Sequence, residues 1–249
     1  MEAGELGLYM LLTCSFATLI NHPASPVWHL VTNAVARRSI MGVAMGVVVV
    51  AIALSPWGKQ SGCHFNPAIT FTFYRLGKVE FWDLWFYVAA QFGGAIGGVC
   101  LARYALQGAL GDHAVHYAVT APGVYGPGVA FAAELTISFI LMITFLVATN
   151  RAELAPCAPY FAGALVAIYL TFETPLSGMS TNPARTFGSA LHAGYWQALW
   201  VYFVAPTLGM LVAGEVFLRA RGGVAPYCAK LHHANSKRCI FHHTHPMRE

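Results

Sequence analysis

The chain has 249 residues, of which 57% are hydrophobic and only 10% charged, and its formal net charge is +4. An ordinary soluble domain carries roughly one quarter charged residues, so this composition excludes a soluble globular protein and places the chain in a lipid bilayer. A surplus of four charges is too small to argue for nucleic acid, and no nucleic-acid partner is expected.

In chain order, apolar runs extend over Leu6 to Ile20, Ile40 to Trp57, Leu84 to Ala102, Leu135 to Ala148, Ala158 to Phe172 and Trp196 to Phe217, all uncharged except the last, which holds Glu215 near its end. Most are near the ~17–25 residues that cross ~30 Å of hydrocarbon. The first is short unless Glu2 to Glu5 are included, and its acidic start without a small-residue cleavage site reads as a permanent helix rather than a signal. Six crossings put Lys59, Arg75, Lys78, Arg151 and the basic residues from Arg219 to Arg248 on one side. The positive-inside rule makes that side, with both termini, cytoplasmic. Arg37, Arg38 and Arg103 run against the rule. The compact loops fit a bacterial inner membrane.

The order of elements repeats. "GELGLYMLLTCSFAT" from Gly4 and "AELTISFILMITFLVAT" from Ala133 each place a glutamate and a leucine at the start of an apolar helix. Each is followed by a second apolar run, then Asn-Pro-Ala, then a third. Three crossings separate the two Asn-Pro-Ala triplets, so their loops begin on opposite faces and the copies are inverted, with a site near the midplane. The repeats span about 1–105 and 128–220 of a channel domain, 1–222, followed by a tail, 223–249.

Asn is a favoured N-cap, and Pro suits the first helical position because its missing N–H had no partner there. Asn66-Pro67-Ala68 and Asn182-Pro183-Ala184 therefore start helices, the first running to about Leu76 before Gly77 and the second to about His192 before Gly194. Eleven residues at ~1.5 Å each give ~16 Å, half a bilayer. The fold class is thus an all-α membrane protein with six transmembrane helices and two re-entrant half-helices. The half-helices meet N-terminus to N-terminus, and the asparagines offer side-chain N–H groups to the space between.

These residues resemble the aquaporins, the major intrinsic protein family, over about Glu5 to Leu218. The resemblance rests on "SGCHFNPAIT", "GMSTNPARTFG", Glu5, Glu134 and "VYFVAP". It implies a passive water channel, not an enzyme, needing no cofactor for transport and assembling as a homotetramer. Two helix N-termini facing one another oppose cations and hydrated protons. Carbonyls of Gly62 to Phe65 and Gly178 to Thr181 supply acceptors along one wall.

The resemblance also places Arg185 at the narrowest point on the extracellular side, with Met45 or Gly46, Leu170 and Met179 completing a filter. Leu170 stands where strict water channels often have histidine, which leaves small neutral solutes such as glycerol open. Thr186 after the arginine, the short join from Ala190 to Gln197 and Tyr202-Phe203 depart from the glycerol-facilitator pattern and favour water.

Glu5 and Glu134 read either as helix-start charges favoured by the dipole or, given the cost of an intramembrane carboxylate, as groups that hold the carbonyls of the half-helix loops. Gly42, Gly46, Gly93, Gly94, Gly97, Gly98, Gly209 and Gly214 permit close helix packing. His64 is a loop-scaffold or pore-lining group rather than a metal ligand. In the tail, Cys228, His232, Cys239 and His242, with His243 nearby, can close a tetrahedral zinc site, iron or copper being alternatives. The spacing matches no standard finger, and a solvated basic tail with incidental histidines is the other reading. On the metal reading, the chain is either a channel with a stapled or gating tail, or a metal-responsive membrane protein that uses the channel fold as an anchor.

Overall fold

A computed structural model describes residues 1–233 and 235–242; the remaining tail residues, His243 and Arg248 among them, lie outside the described residues. Eight principal helices follow one another: α1 (Glu2–Asn21), α2 (Ala34–Leu54), α3 (Pro67–Arg75), α4 (Phe81–Leu106), α5 (Gly126–Thr149), α6 (Ala158–Phe172), α7 (Pro183–Ala193) and α8 (Leu199–Ala220). Six of them are long and apolar enough to cross a bilayer, while α3 and α7 have only 9 and 11 residues. The chain is an integral, multi-pass, all-α membrane protein built of two repeats, α1–α4 and α5–α8.

Helix ends follow from capping. α2 stops at Leu54, three residues before the end of its apolar run, because Ser55 begins a new turn at Pro56 and its Oγ accepts the Gly58 N–H at 3.1 Å. α3 stops at Arg75, and α7 runs to Ala193, where Gly194 adopts φ 65° and ends it.

Helices α1 and α4 pack together, as do α5 and α8, and α2 and α6 join the two repeats. Without a hydrophobic drive between helices in lipid, small residues let the backbones close in. A Cβ at Gly94 would lie 2.2 Å from the Ala3 carbonyl, and one at Gly98 2.2 Å from that of Gly7. Across α2 and α6, Gly46 and Gly163 face one another's carbonyls in the same way, at 2.5 and 2.6 Å. Gly42 and Gly209 make similar approaches, and Gly214 lies against the Thr72 side chain. Gly93 and Gly97 are a correction: among the described residues a Cβ there meets nothing within 4 Å, so they turn away from the chain's own helices.

Beyond α8, Gly222 and Gly223 take positive φ and turn the chain back. The tail then lies against the bundle, with Cys228, Ala229, Lys230 and Leu231 all buried. Asn150 at the end of α5 anchors its base, accepting from Tyr227 N at 2.6 Å and Arg221 Nη1 at 3.0 Å.

Candidate channel pore

Two loops with the same local design carry the half-helices. In the first, Gly62 has φ 98°, Cys63 61° and Phe65 29°; in the second, Gly178 has 81°, Met179 51° and Thr181 54°. The left-handed conformation is natural for glycine and strained for the others, so both loops are held from outside. Glu134 accepts from Ser177 Oγ, Ser180 N and Thr181 N, each at 2.7 Å. Tyr202 Oη donates to the Ser177 carbonyl at 2.6 Å, and its counterpart Tyr87 to that of Ser61 at 2.7 Å.

In the first repeat two carboxylates share this work. Glu2 accepts from His64 N at 3.1 Å and Phe65 N at 2.7 Å, whereas Glu5 accepts from Ser61 Oγ at 2.6 Å. The sequence match of Glu5 with Glu134 is therefore half of the answer, and Glu2, one turn earlier, is the missing half. Both glutamates and Glu134 meet loop donors rather than carbonyls, as an acceptor must. Gln91 Nε2 donates to Glu2 at 2.6 Å and to Thr70 Oγ1 at 3.0 Å, and Thr70 Oγ1 lies 3.1 Å from His64 Nδ1. His64 is thus a buried scaffold group of the first loop.

Asn66 and Asn182 cap α3 and α7: Asn66 Oδ1 accepts from Ala68 N at 2.9 Å, and Asn182 Oδ1 from Ala184 N at 3.0 Å and Arg185 N at 3.2 Å. Pro67 and Pro183 occupy the first helical positions. Each amide also reaches across, Asn66 Nδ2 to the Thr181 carbonyl and Asn182 Nδ2 to the Phe65 carbonyl, both at 2.8 Å. One of the two N–H groups on each Nδ2 thereby locks the half-helices together. Only the other is left to be offered to the space between them.

That space is a narrow cavity bordered by both asparagines, Arg185 and Met179. It leaves about 60 Å³ for the centres of water molecules, which at roughly 10–15 Å³ apiece holds a few waters. It is lined by the loop residues Cys63 to Phe65, Ser180 and Thr181 and by the apolar residues Val49, Ile69, Leu141, Phe145 and Val166. Among the described residues no hydrogen bond engages the carbonyls of Cys63, His64, Gly178 or Met179, while those of Gly62, Phe65, Ser180 and Thr181 accept from protein donors. Arg185 is 7% exposed, and among the described residues its Nη1 has no hydrogen-bond partner.

The other filter candidates fall outside this cavity. Gly46 is corrected to a packing glycine by its contact with α6. Met45 is buried toward α1, 3.8 Å from Thr13 Oγ1, and Leu170 is buried in the core. Each stands four residues, one helical turn, from a lining residue: Met45 from Val49 and Leu170 from Val166. Tyr9, on α1, is a lining residue that sequence reasoning missed.

A family model described as major intrinsic protein matches residues 3–217. The chain belongs to that family. Members of the major intrinsic protein family are channels, not enzymes. Aquaporin NIP2-3 of Zea mays is 34% identical over 197 residues, 78% of this chain and 64% of its own length. Aquaporin TIP4-4 of Zea mays is 34% identical over 183 residues, 72% of this chain and 71% of its own. The chain thus spans somewhat less than two thirds of the NIP2-3 sequence. Among solved structures, the X-ray structure of the aquaglyceroporin from Plasmodium falciparum superposes with a TM-score of 0.67 at 20% identity, over 87% of this chain and 92% of that one, a likeness of fold. Both of these curated relatives are plant proteins, and they lend no support to a bacterial inner membrane.

In the tail, Cys228 and Cys239 come together, their Sγ atoms 3.3 Å apart, and His233 joins them, the three ligand atoms lying within 4.8 Å of one another. His232 and His242 are corrections to the expected ligand set. Only one of two adjacent histidines turns toward the thiols, and His233 is held there edge-on to Tyr227, with ring centroids 4.8 Å apart. His242 is engaged with Glu80, Nε2 to Oε1 2.7 Å. The hydrogen bond to Cys239, then burial, pushes the Cys228 thiol up, and burial, then Lys59 and His233, holds the His232 imidazole below its ordinary value.

Proposed function

We propose that the chain is a passive transmembrane water channel that rejects protons and ions, a homotetramer with one pore per subunit and both termini cytoplasmic. The observation that carries this reading is the meeting of α3 and α7, N-terminus to N-terminus, with Asn66 and Asn182 cross-bonded beside a narrow lumen with room for a few waters. Each helix end presents roughly half a positive charge. Two of them, with Arg185 beside them, repel any cation at the narrowest part. The remaining N–H of each asparagine donates to a passing water oxygen, turns its hydrogens away from the midpoint and interrupts a proton wire. No bond is made or broken, so transport needs neither catalysis nor a cofactor.

In this reading Met179 and Arg185, which border the lumen, form the filter with Met45 and Leu170, one turn beyond the lining pair Val49 and Val166. Its apolar members favour a second reading, passage of small neutral solutes such as glycerol beside water. Stopped-flow light scattering of proteoliposomes tests both, using the full chain with chelator present so that no metal acts on the tail. An impermeant osmolyte should shrink the vesicles at least tenfold faster than empty liposomes, and Met179→Trp should abolish the difference. Shrinkage at the empty-liposome rate would overturn the water reading. A glycerol gradient separates the two solutes: swelling as fast as with water would make the filter a solute filter.

A further inference from the structure

The tail meets the pore on groups that a permeant would otherwise use. Leu231 borders the lumen together with Asn66 and Asn182, and its N–H donates to the Gly62 carbonyl at 3.0 Å. The Ala229 carbonyl accepts from His64 Nε2 at 2.8 Å. Phe241 stacks on the His64 ring, centroids 5.4 Å apart and planes at 13°. Around this contact Lys78 Nζ donates to the His242 carbonyl at 3.3 Å, and Gln60 Nε2 to the Arg238 carbonyl at 3.1 Å. A carbonyl of the first loop, its scaffold histidine and the end of the lumen are all covered, by Leu231, Ala229 and Phe241.

The three converging ligands bracket these covering residues. Cys228 precedes Ala229 and Leu231, His233 follows them, and Cys239 stands two residues before Phe241. We propose that Cys228, His233 and Cys239 bind a thiophilic divalent cation of the zinc class, and that the ion fixes the tail as a plug over the tail-side mouth of the pore.

Geometry favours an ion over a disulfide. Tetrahedral zinc with Zn–S bonds of about 2.3 Å holds two sulfurs roughly 3.8 Å apart, half an ångström from the observed 3.3 Å. A disulfide needs about 2.05 Å, an approach of more than an ångström. Charge also fits: two thiols release their protons to solvent as a dication arrives, and histidine binds neutral, so the net charge under the tail is unchanged. His233 and Cys239 are partly exposed, which gives an ion its way in, and water completes the coordination. An ion that binds the docked tail and not the undocked one shifts the balance toward the plug by mass action.

The plug rests on the reading of the chain as a water pore, whereas the metal site does not, and the test separates them. Full-length protein stripped by chelator is titrated with Co²⁺ and then Zn²⁺. One Co²⁺ per chain should bind with the near-ultraviolet thiolate charge-transfer band, and Zn²⁺ should displace it. Cys228→Ser or Cys239→Ser should abolish the band and His233→Asn should weaken affinity at least tenfold, while His242→Gln keeps both. Absence of the band, or its persistence in both serine variants, would overturn the site. In proteoliposomes, Zn²⁺ should slow osmotic shrinkage of the full chain at least fivefold, with chelator restoring it, and Cys228→Ser should be fast and insensitive to Zn²⁺. Equal rates with and without Zn²⁺, both above empty liposomes, would overturn the plug, as would opening by a thiol reductant that removes no metal. Rates equal to empty liposomes in every variant, Leu231→Gly included, would overturn the pore reading and the plug with it, leaving the site to stand or fall by the cobalt band.

Discussion

The two pore loops are built to one plan and held by different means. In the second, a single carboxylate, Glu134, takes the serine hydroxyl and both backbone N–H groups. In the first, Glu5 takes the hydroxyl, Glu2 takes the N–H groups, and Gln91 braces Glu2 from α4. What is preserved between the halves is the set of donors that a left-handed loop turns outward, and the acceptors are free to move along the helix by a turn. The outer coverings differ too. The tail lies on the first loop, while the second is backed by the segment between the repeats, where a Cβ at Gly178 would stand 2.9 Å from Ala121 N.

Concentrating three bonds on one residue makes the second loop the more fragile. Glu134→Gln replaces one acceptor oxygen with a donor aimed at backbone donors, in a side chain with no exposure. Hydrogen bonds to charged groups are worth about 1.5–3 kcal/mol and a stranded buried donor costs a similar amount, so a loss of about 3 kcal/mol or more is expected. Glu2→Gln should cost less, since Glu5 still holds Ser61, and Glu5→Gln, which keeps a carbonyl for that hydroxyl, about 1 kcal/mol or less. Thermal unfolding in detergent should rank the melting temperatures Glu134→Gln lowest, then Glu2→Gln, then Glu5→Gln. A Glu5→Gln variant as unstable as Glu134→Gln would contradict the division of labour in the first repeat.

The glycine pairs extend the comparison to packing. Gly98→Val drives a side chain into the Gly7 carbonyl, whereas at Gly97 an added Cβ meets nothing within 4 Å among the described residues. Overpacking of this kind costs about 1–3 kcal/mol, and surface changes stay within about 0.5 kcal/mol. The monomer's melting temperature should therefore fall for Gly98→Val alone. A drop for Gly97→Val confined to the assembled oligomer, seen by cross-linking or size, would locate Gly97 in a subunit interface.

A third contrast concerns the single charge beside the half-helix junction. Arg185 follows the second asparagine, and Ile69 occupies the matching place after the first. Arg185→Val makes the halves alike, so glycerol uptake and proton leak in proteoliposomes should rise several-fold while water flux changes by less than twofold. A variant that still excludes both would show that the helix ends alone carry the rejection.

The doubled Asn-Pro-Ala made the half-helices and their caps legible, because capping is a local property that three residues decide. Glu134 was legible because the loop it holds takes everything from one residue. Glu2 escaped because the matching of Glu-Leu between the repeats pointed to Glu5, although a carboxylate one turn earlier on the same helix face was in plain view. Tyr87 could have been found by setting "FYVAAQ" beside "VYFVAP". Val49 and Val166 share their helix faces with Met45 and Leu170, but how far along a face the lumen extends depends on the tilt of helices that are distant in sequence. The tail was the least legible. It has no periodicity, and its ligand set turns on which of two adjacent histidines rotates toward the thiols, a matter settled by the Tyr227 ring and by Glu80.

The smallest expected effect belongs to the pair of tyrosines that brace the loops from α4 and α8. Each donates one hydrogen bond to a serine carbonyl, at 2.7 Å for Tyr87 and 2.6 Å for Tyr202, so by geometry Tyr87→Phe and Tyr202→Phe should cost the same. Burial separates them. Tyr202 has no exposure and Tyr87 is only partly buried, so the gap left by the lost hydroxyl lies nearer the protein surface beside Ser61 than beside Ser177. An ordinary hydrogen bond is worth about 1 kcal/mol net, and an unsatisfied buried acceptor adds about 1–3 kcal/mol. Tyr202→Phe should therefore cost about 2 kcal/mol and Tyr87→Phe about 1 kcal/mol, a difference readable as a few degrees in melting temperature. Equal losses would mean that the two loops are equally dry and that the tail seals the first as fully as the protein core seals the second.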